Sequence, residues 1–202
     1  MAEQAAKDVR EAIIVESTRL FLANGFRGTS VKEITEAAGI ARGTLYWYFP
    51  SKDEILVTIF RRFESEFLDG LIAAVERRSG GLRDKFKIFI KYTTEYARDN
   101  RQLSVAFTTL LGEMVGSNTE AEKVVRGIYE RYLHFVERML EDGKRDGSVS
   151  EDLDSSIYAH IIIASNSGML LEWLVFGEAL DSRAFVKKMR DVLLAGIGKP
   201  EE

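Results

Sequence analysis

The chain has no cysteine, two histidines and two prolines among its 202 residues. Without cysteine it can form no disulfide, thiolate metal ligand or thiol nucleophile. The histidines, His134 and His160, have no better candidate ligand close in sequence than Glu130, and two ligands do not complete the coordination shell of a metal ion. We therefore expect no metal site and no cofactor. His134 is expected to be solvated, and His160 is a weak candidate for a pocket.

Motifs of catalysis and of membrane insertion are also lacking. The sequence shows no serine, histidine and acid arrangement, no glycine-rich phosphate loop and no close pair of carboxylates. Asn166 and Glu172 interrupt the longest apolar stretches before they reach the roughly 18 residues of a membrane span. The N-terminus has no apolar core of a signal peptide. We expect a globular, cytoplasmic protein that is not an enzyme.

The scarcity of proline leaves long stretches free to form helices. The prolines lie at positions 50 and 200, and apolar residues recur every three or four positions between glycine-containing breaks. This spacing predicts an all-α chain. Ser30 with Glu33, and Ser51 with Glu54, form two capping-box pairs that start helices. The predicted helices cover about 6–24, 31–38, 41–49, 51–79, 82–98, 101–114, 119–143, 154–177 and 181–196.

The charge of the chain is unevenly distributed. The net charge is −4, which by itself argues against a nucleic-acid partner. Residues 1–62 nevertheless carry a net charge of +1, and the remainder carries −5. The acidity therefore belongs to the later part of the chain and does not exclude DNA binding by the first part.

The run from Gly39 to Lys52 crowds aromatic and cationic residues onto one short helix. Successive helical residues diverge by about 100°, so three neighbouring aromatic side chains cannot all face a core. At least one of Tyr46, Trp47 and Tyr48 must therefore face outward. A plain core helix is the usual explanation of such clusters, but it leaves the flanking cations unexplained. For Trp47 alone, core packing and an outward contact remain equally open.

Two short helices joined by a glycine turn have the organisation of a helix-turn-helix, whose second helix enters the major groove of DNA. Arg42, in the first turn of that helix, can donate to guanine O6 and N7. Gly43 lets the backbone come close, and Thr44 offers a methyl group to thymine. The residues suited to phosphate contacts are Tyr46, Tyr48 and Lys52.

The ordered set of residues across this region resembles the DNA-binding signature of the TetR/AcrR family of bacterial transcriptional regulators. The resemblance covers roughly residues 9 to 56. It implies that Leu45 and Phe49 face inward, and that two sets of side chains approach DNA. The set near bases is Lys32, Arg42, Gly43, Thr44 and Trp47; the set near phosphates is Ser30, Tyr46, Tyr48 and Lys52. The residues that carry the resemblance are Thr29, Ser30, Ile34, Ala38, Gly39, Gly43, Thr44, Leu45, Tyr46, Tyr48, Phe49, Ser51 and Lys52.

One position departs from the family pattern. The family usually places serine or threonine at the N-cap of the recognition helix, and this chain has Ala41. A side-chain cap contributes about 1 kcal/mol, so we expect a soft start to this helix in the free protein.

The resemblance also implies a domain organisation. Residues 1–54 form a helix-turn-helix DNA-binding domain, with its motif at about 30–49, and a long helix joins it to a helical effector-binding and dimerisation domain at 55–202. Polar residues among many aromatics favour a lipophilic or amphipathic effector. The candidate effector-binding residues are Phe63, Phe67, Phe89, Thr93, Tyr96, Phe107, Tyr129, Tyr132 and Asn166.

The segment from Ser156 to Phe176 is apolar on nearly every face, which predicts burial on two sides. One side can face its own domain and the other a second copy of the chain, in a four-helix interface with the last helix. The alternative is a central helix of a monomer. The candidate interface residues are Ile161, Gly168, Leu171, Val186, Met189 and Leu193.

The resemblance, taken with these features, implies a homodimeric repressor that binds double-stranded operator DNA and is released by a small-molecule effector. Two alternatives stay open, an enzyme on an all-α scaffold and a helical adaptor without affinity for DNA. Neither explains the residues from Arg42 to Lys52.

Overall fold

The computed structural model describes residues 2–197, with side chains from residue 6 onward. All regular elements in this range are helical, so the all-α prediction is confirmed. A π-helical turn at Glu64–Leu68 joins α4 to α5, and a 3₁₀ turn at Gly177–Ala179 follows α9. The helices are α1 (Ala2–Gly28), α2 (Val31–Ala37), α3 (Arg42–Tyr48), α4 (Lys52–Phe63), α5 (Asp69–Glu76), α6 (Leu82–Asp99), α7 (Arg101–Met114), α8 (Glu120–Arg145), α9 (Ser155–Phe176) and α10 (Ser182–Ile197).

The glycine break and the capping box predicted before α2 are both present in the structure. Gly25 interrupts α1 with a φ of 76° and a ψ of 161°, a conformation that glycine adopts at little cost. Ser30 then caps α2: its Oγ accepts from the Glu33 N–H at 3.2 Å, while its own N–H donates to Glu33 Oε2 at 2.7 Å. The predicted capping box is therefore present, and it fixes where α2 begins.

The helix after Pro50 is less regular than predicted. Ser51 Oγ accepts from the Glu54 N–H at 3.2 Å, which is one half of the predicted capping box. The single helix predicted for 51–79 is broken into α4 and α5 by the π turn. A π turn adds a residue to the helical repeat and so shifts which side faces inward. Phe67 and Leu68 are both buried within it.

The described chain forms two compact units. The first unit contains residues up to 65 together with 100–128, and α1 packs there against α2, α4 and α7. The second contains residues 66–99 and those from 129 onward, where α6 packs against α5 and α10, and α10 also packs against α9. Packing thus groups α7 with the N-terminal helices, whereas the predicted functional boundary after residue 54 remains a proposal.

The turn between α7 and α8 is closed by one carboxylate. Glu122 accepts from the Gly116 N–H at 3.0 Å, the Asn118 N–H at 2.7 Å and Arg126 Nη2 at 2.9 Å. The bond from Gly116, followed by those from Arg126 and Asn118, lowers the pKa of Glu122 to about 2. This carboxylate therefore satisfies backbone donors that the turn leaves unpaired.

Helix α9 has two apolar faces. Its inward face belongs to the core of the second unit, with Ala159, Ile162, Ile163, Met169 and Leu170 buried. By length and composition alone, the stretch Ser155–Ala179 is long and apolar enough to cross a membrane, so the expectation that no such stretch exists was wrong. A core helix passes the same test of composition. The apolar side chains exposed on its other side are Ile157, Ile161, Leu171, Val175 and Phe176.

Candidate functional site

Helix α3 presents a fixed face to solvent. Leu45 and Phe49 are buried, as predicted, and they hold the inward side of the helix. Tyr46 is 41% exposed and Trp47 is 74% exposed, so the indole is not a core side chain. The Trp47 ring stands edge-on to the Tyr48 ring, with 4.6 Å between centroids. The question left open for Trp47 is thus answered for the free protein: its side chain faces outward.

Arg42 lies on the same exposed face. Its guanidinium stands 5.6 Å from the centroid of the Tyr46 ring, and its Nη2 donates to the Tyr46 hydroxyl at 3.4 Å. The two residues are one helical turn apart, which is the spacing at which side chains meet. Gly43 is open as well, because a Cβ atom built there would meet nothing within 4 Å. The packing of this chain therefore does not require glycine at that position.

The residues at the start of α2 already use part of their hydrogen-bonding capacity. The Ser30 hydroxyl donates to Glu33 Oε2 at 2.7 Å, and the bonds from Ser30 lower the pKa of Glu33. Lys32 Nζ lies 3.7 Å from Glu36 Oε1, in an exposed pair that solvent screens. Both Ser30 and Lys32 are exposed, and their predicted DNA contacts stay predictions.

The structure places Lys52 in a role that the sequence did not suggest. Its Nζ donates to the Phe26 carbonyl and to the Thr29 carbonyl, both at 2.6 Å, and lies 4.3 Å from the Phe26 ring centroid. Burial lowers the pKa of Lys52, because it disfavours the charged form. The amino group is thus committed to the connection between α1 and α2, and its contact with phosphate remains a prediction.

The second unit contains a cluster of aromatic rings, which we call the aromatic cluster. Phe67 is at its centre, with the ring centroids of Tyr96, Tyr132 and Tyr92 at 5.2, 5.7 and 6.3 Å. Phe89 stacks on Tyr132 at 6.1 Å. Gly70 makes room for this arrangement, since a Cβ atom there would lie 1.9 Å from the Tyr92 hydroxyl. Of the nine predicted effector residues, Phe67, Phe89, Tyr96 and Tyr132 belong to the cluster.

Two buried polar atoms without partners lie on α9, and one of them belongs to a residue that contacts this cluster. Asn166 Nδ2 donates to the Tyr132 hydroxyl at 3.5 Å, whereas Asn166 Oδ1 is buried and accepts no hydrogen bond. Burial raises the pKa of Tyr132 far above its usual range, so the phenol stays neutral. The Trp173 Nε1–H is also buried and unpaired. Trp173 follows Asn166 by two helical turns, so both lie on the same side of α9.

The remaining predicted effector residues have other surroundings. Phe63 and Phe107 belong to the first unit, where their rings stack with centroids 3.9 Å apart. Thr93 is buried, and its hydroxyl donates to the carbonyls of Phe89 and Ile90, both at 3.0 Å. Tyr129 is half-buried, and this burial raises its pKa. Trp173 was not among the predicted effector residues, although its spacing of two helical turns from Asn166 places both residues on one side of α9.

Two family models match the chain, one after the other. The model for bacterial regulatory proteins of the tetR family matches residues 13–59, and the model for the C-terminal region of YsiA-like proteins matches residues 60–196. The chain belongs to the tetR family of bacterial regulatory proteins. The resemblance drawn from the recognition helix is thereby confirmed.

Curated relatives of this tetR-family regulator align along nearly its whole length. The fatty acid metabolism regulator protein of Bacillus subtilis (strain 168) is 24% identical over 185 residues, covering 92% of this chain and 93% of the relative. The HTH-type transcriptional repressor KstR2 of Rhodococcus jostii (strain RHA1) is 27% identical over 206 residues, covering 95% and 92%. The chain is therefore a transcriptional regulator and not an enzyme.

Solved structures of tetR-family regulators share its fold. The MbdR regulator from Azoarcus sp. CIB has a TM-score of 0.82 and 27% identity, covering 94% of this chain and 98% of that one. FadR from Bacillus subtilis, solved in complex with stearoyl-CoA, has a TM-score of 0.78 and 22% identity, covering 93% and 98%. At 22% identity the second likeness establishes the fold alone.

The outer side of α9 in this regulator carries three of the six predicted interface residues. Ile161 and Leu171 are exposed there, and a Cβ atom at Gly168 would meet nothing within 4 Å. The prediction that Leu193 lies in the interface is corrected, because Leu193 is only 8% exposed and belongs to the core of its own unit. Val192 beside it is 71% exposed. The two residues are consecutive on α10, so their side chains point in directions about 100° apart around the helix. Val186 and Met189 are half-buried.

Both histidines of the regulator are on its surface. His134 on α8 and His160 on α9 are exposed, which agrees with a solvated His134 and leaves His160 outside the aromatic cluster. Within residues 2–197, no group of three histidine, aspartate or glutamate side chains is arranged to hold a metal ion.

The first turn of α3 generates a prediction about local stability. Ala41 provides no side-chain cap, and its carbonyl alone accepts from the N–H groups of Thr44 at 3.0 Å and Leu45 at 3.3 Å. Ala41→Ser restores an acceptor worth about 1 kcal/mol, so the amides of Gly43 and Thr44 should exchange with solvent about fivefold more slowly. Amide hydrogen exchange of the DNA-free protein measures this.

Ala37→Ser, at an exposed position in the last turn of α2, is the matched control and should leave those amides unchanged. Protection of the wild-type α3 amides equal to that of α2 would contradict a soft helix start.

Proposed function

We propose that the regulator is a homodimeric, sequence-specific repressor that leaves its operator when a small lipophilic or amphipathic effector binds its second unit. The observation that carries the DNA-binding part is the exposed face of α3, where Arg42, an open Gly43 and an exposed Trp47 stand side by side. Such a protein acts on the chromosome, so we place it in the cytoplasm.

Arg42 is the residue best placed to select bases. A guanidinium donates two parallel hydrogen bonds to guanine O6 and N7, and such a contact discriminates against other bases by about 1 to 3 kcal/mol. The Tyr46 ring supports the guanidinium by a cation–π contact on the exposed surface. Lys32, Gly43, Thr44 and Trp47 complete the proposed base-reading set. Ser30, Tyr46, Tyr48 and Lys52 complete the phosphate set, which positions the helix without reading sequence.

The exposed apolar stripe on α9 is the proposed contact with a second copy of the chain. Its side chains recur at helical spacing along one side, from Ile157 through Ile161 and Leu171 to Val175. Residues on that side keep their apolar surface in water unless another molecule covers it. A second copy related by a two-fold axis buries the same stripe on both chains. The dimer also gives two recognition helices, as half-sites about 34 to 36 Å apart require.

The aromatic cluster and its unpaired polar atoms support an amphipathic effector. An apolar chain can pack against Phe67 and Phe89, while Asn166 Oδ1 and the Trp173 N–H offer an acceptor and a donor that the protein leaves unused. A buried polar atom without a partner costs about 1 to 3 kcal/mol, which a ligand with matching groups recovers. The structurally similar FadR from Bacillus subtilis was solved with stearoyl-CoA, a molecule of this chemistry. We therefore propose a long-chain acyl thioester as the effector class.

Release of DNA requires that the effector favour the off-DNA conformation. Moving a population from 1:99 to 99:1 takes a differential affinity of about 5.5 kcal/mol. Coverage of an acyl chain by the aromatic cluster supplies part of this difference only where the off-DNA conformation buries more of the chain, at about 0.8 kcal/mol for each additional buried methylene group.

Substitution of Arg42 tests the reading of bases. Arg42→Lys keeps the positive charge but loses the bidentate fork, so it should lower the preference for operator over unrelated DNA by about tenfold while leaving unrelated DNA bound as before. Arg42→Ala should lower the preference equally and weaken both complexes. Fluorescence anisotropy with an operator duplex and an unrelated duplex, at several salt concentrations, measures both affinities.

The control is Arg98→Ala, which removes the same charge from an exposed arginine of α6 that pairs with Asp99. This variant should leave the preference for operator over unrelated DNA unchanged. Full operator preference in Arg42→Lys would contradict the assigned role.

Substitution on the α9 stripe tests the dimer. Leu171→Glu places a charge where two apolar surfaces meet, and desolvating an unpaired charge is costly, so the variant should sediment as a monomer. Its operator affinity should fall about a hundredfold because the two helices no longer act together. Val115→Glu, also an exposed apolar residue but in the turn after α7, should remain dimeric. A dimeric Leu171→Glu would refute this interface.

The effector assignment is tested with stearoyl-CoA as the probe. Micromolar stearoyl-CoA should release the wild-type protein from its operator, and Trp173→Phe, which keeps a ring but loses the N–H, should need about five times more. Asn166→Leu should behave similarly. Both variants should bind operator normally without the probe.

His160→Ala, on the exposed side of the same helix, serves as the control and should respond like the wild type. Retention on DNA at saturating stearoyl-CoA would exclude this effector class.

A further inference from the structure

The backbone N–H and carbonyl of Phe26 are bound by two side chains of opposite charge. Its N–H donates to Glu113 Oε2 at 2.9 Å, and its carbonyl accepts from Lys52 Nζ at 2.6 Å. The Phe26 side chain is buried, with its ring 5.2 Å from that of Phe21. Glu113 belongs to α7, and 87 residues separate it from Phe26 in sequence. These contacts join α7 to the DNA-binding helices within the first unit.

The local backbone explains why a carboxylate is needed there. Gly25 takes the chain out of the helical conformation, so the N–H of Phe26 has lost its acceptor four residues back. Glu113 supplies the missing acceptor. Gly25 also leaves space for it, because a Cβ atom at this position would lie 3.3 Å from both carboxylate oxygens. A charged acceptor strengthens the bond relative to a neutral one.

Every step from Phe26 to the recognition helix is a contact in the structure. Thr29 Oγ1 donates to the Gly25 carbonyl at 2.8 Å, and the Thr29 carbonyl accepts from Lys52 Nζ at 2.6 Å. Ser30 follows directly and caps α2. Helix α2 in turn packs on α3. Residues 25–30, which we call the α1–α2 connection, therefore set where the recognition helix lies.

Helix α7 is also covalently close to the aromatic cluster. Asn100 alone separates it from α6, which carries Phe89, Tyr92 and Tyr96 of the cluster. Phe107 of α7 stacks on Phe63 of α4, with 3.9 Å between ring centroids. The chain therefore runs directly from the helix that carries three rings of the cluster into the helix that carries Glu113.

We propose that Glu113 is a positioning residue through which α7 controls the operator affinity of the recognition helix. It contacts no DNA itself and acts through the α1–α2 connection. The inference rests on the proposed function, because it names the regulation of that DNA-binding site. Nothing in the sequence motif around α3 points to it, since Glu113 lies far outside that motif.

The experiment compares Glu113→Ala, which loses the acceptor, with Glu113→Gln, which keeps an amide oxygen there. Operator and unrelated duplex affinities are measured for each variant, along with melting temperature. Glu113→Ala should bind operator about tenfold more weakly, with unrelated duplex bound as before, because only the specific complex needs the correct helix position. Glu113→Gln should recover operator affinity to within about threefold. Glu120→Ala removes the same charge from an exposed pair with Lys123 and should match the wild type.

A second measurement tests regulation directly. The ratio of operator Kd with and without saturating stearoyl-CoA should be at least fivefold smaller in Glu113→Ala than in the wild type, because the two sites are less coupled. If stearoyl-CoA leaves the wild type on DNA, the proposed effector fails, while the affinity comparison still decides the role of Glu113. Wild-type operator affinity in Glu113→Ala overturns the inference. A parallel loss of operator and unrelated-duplex affinity also overturns it, because that pattern indicates a merely structural brace.

Discussion

The inward packing of Leu45 and Phe49 is the constraint on which the DNA-binding surface depends. Leu45 lies on α3 and Phe49 directly follows its last residue, and the burial of both fixes which side of the helix faces inward. Because Leu45 and Phe49 face inward, Tyr46 and Trp47 between them face solvent. The same orientation places Arg42 on the exposed side, within reach of the Tyr46 ring. This surface combines a large exposed indole with an exposed guanidinium, and it is the surface that we propose contacts DNA.

In the second unit, helix α9 likewise has one face that packs inward and one face that is exposed. Its inward face contributes to the core and carries Asn166 and Trp173, of which the Asn166 Oδ1 and the Trp173 Nε1–H find no partner in the described chain. Its outward face carries the apolar stripe. One helix thus carries residues of both the proposed effector site and the proposed dimer contact. The bond from Glu113 to Phe26 offers a separate route, from α7 to each recognition helix of the dimer.

Much of this architecture follows from local rules. Gly25, the capping box at Ser30 and the proline at position 50 bound the first helices through backbone geometry alone, and the later helix ends fall within two residues of those predicted. The fold class and the missing cap at Ala41 were equally accessible. Other features depend on contacts between distant segments. The π turn, the bonds of Lys52 to two carbonyls, the bond of Glu113 and the burial of Leu193 in place of Val192 arise from packing, which periodicity does not encode.

The central claim, that α3 of a dimer reads a specific DNA sequence, is tested most directly by selection from a random duplex library with the purified full-length protein. The account predicts enrichment of a palindromic sequence whose half-site centres lie about one helical turn, roughly 34 to 36 Å, apart. Retention of the selected duplex should fall steeply as salt rises, because phosphate contacts release counterions. A library that stays random after repeated rounds at low salt would contradict the account.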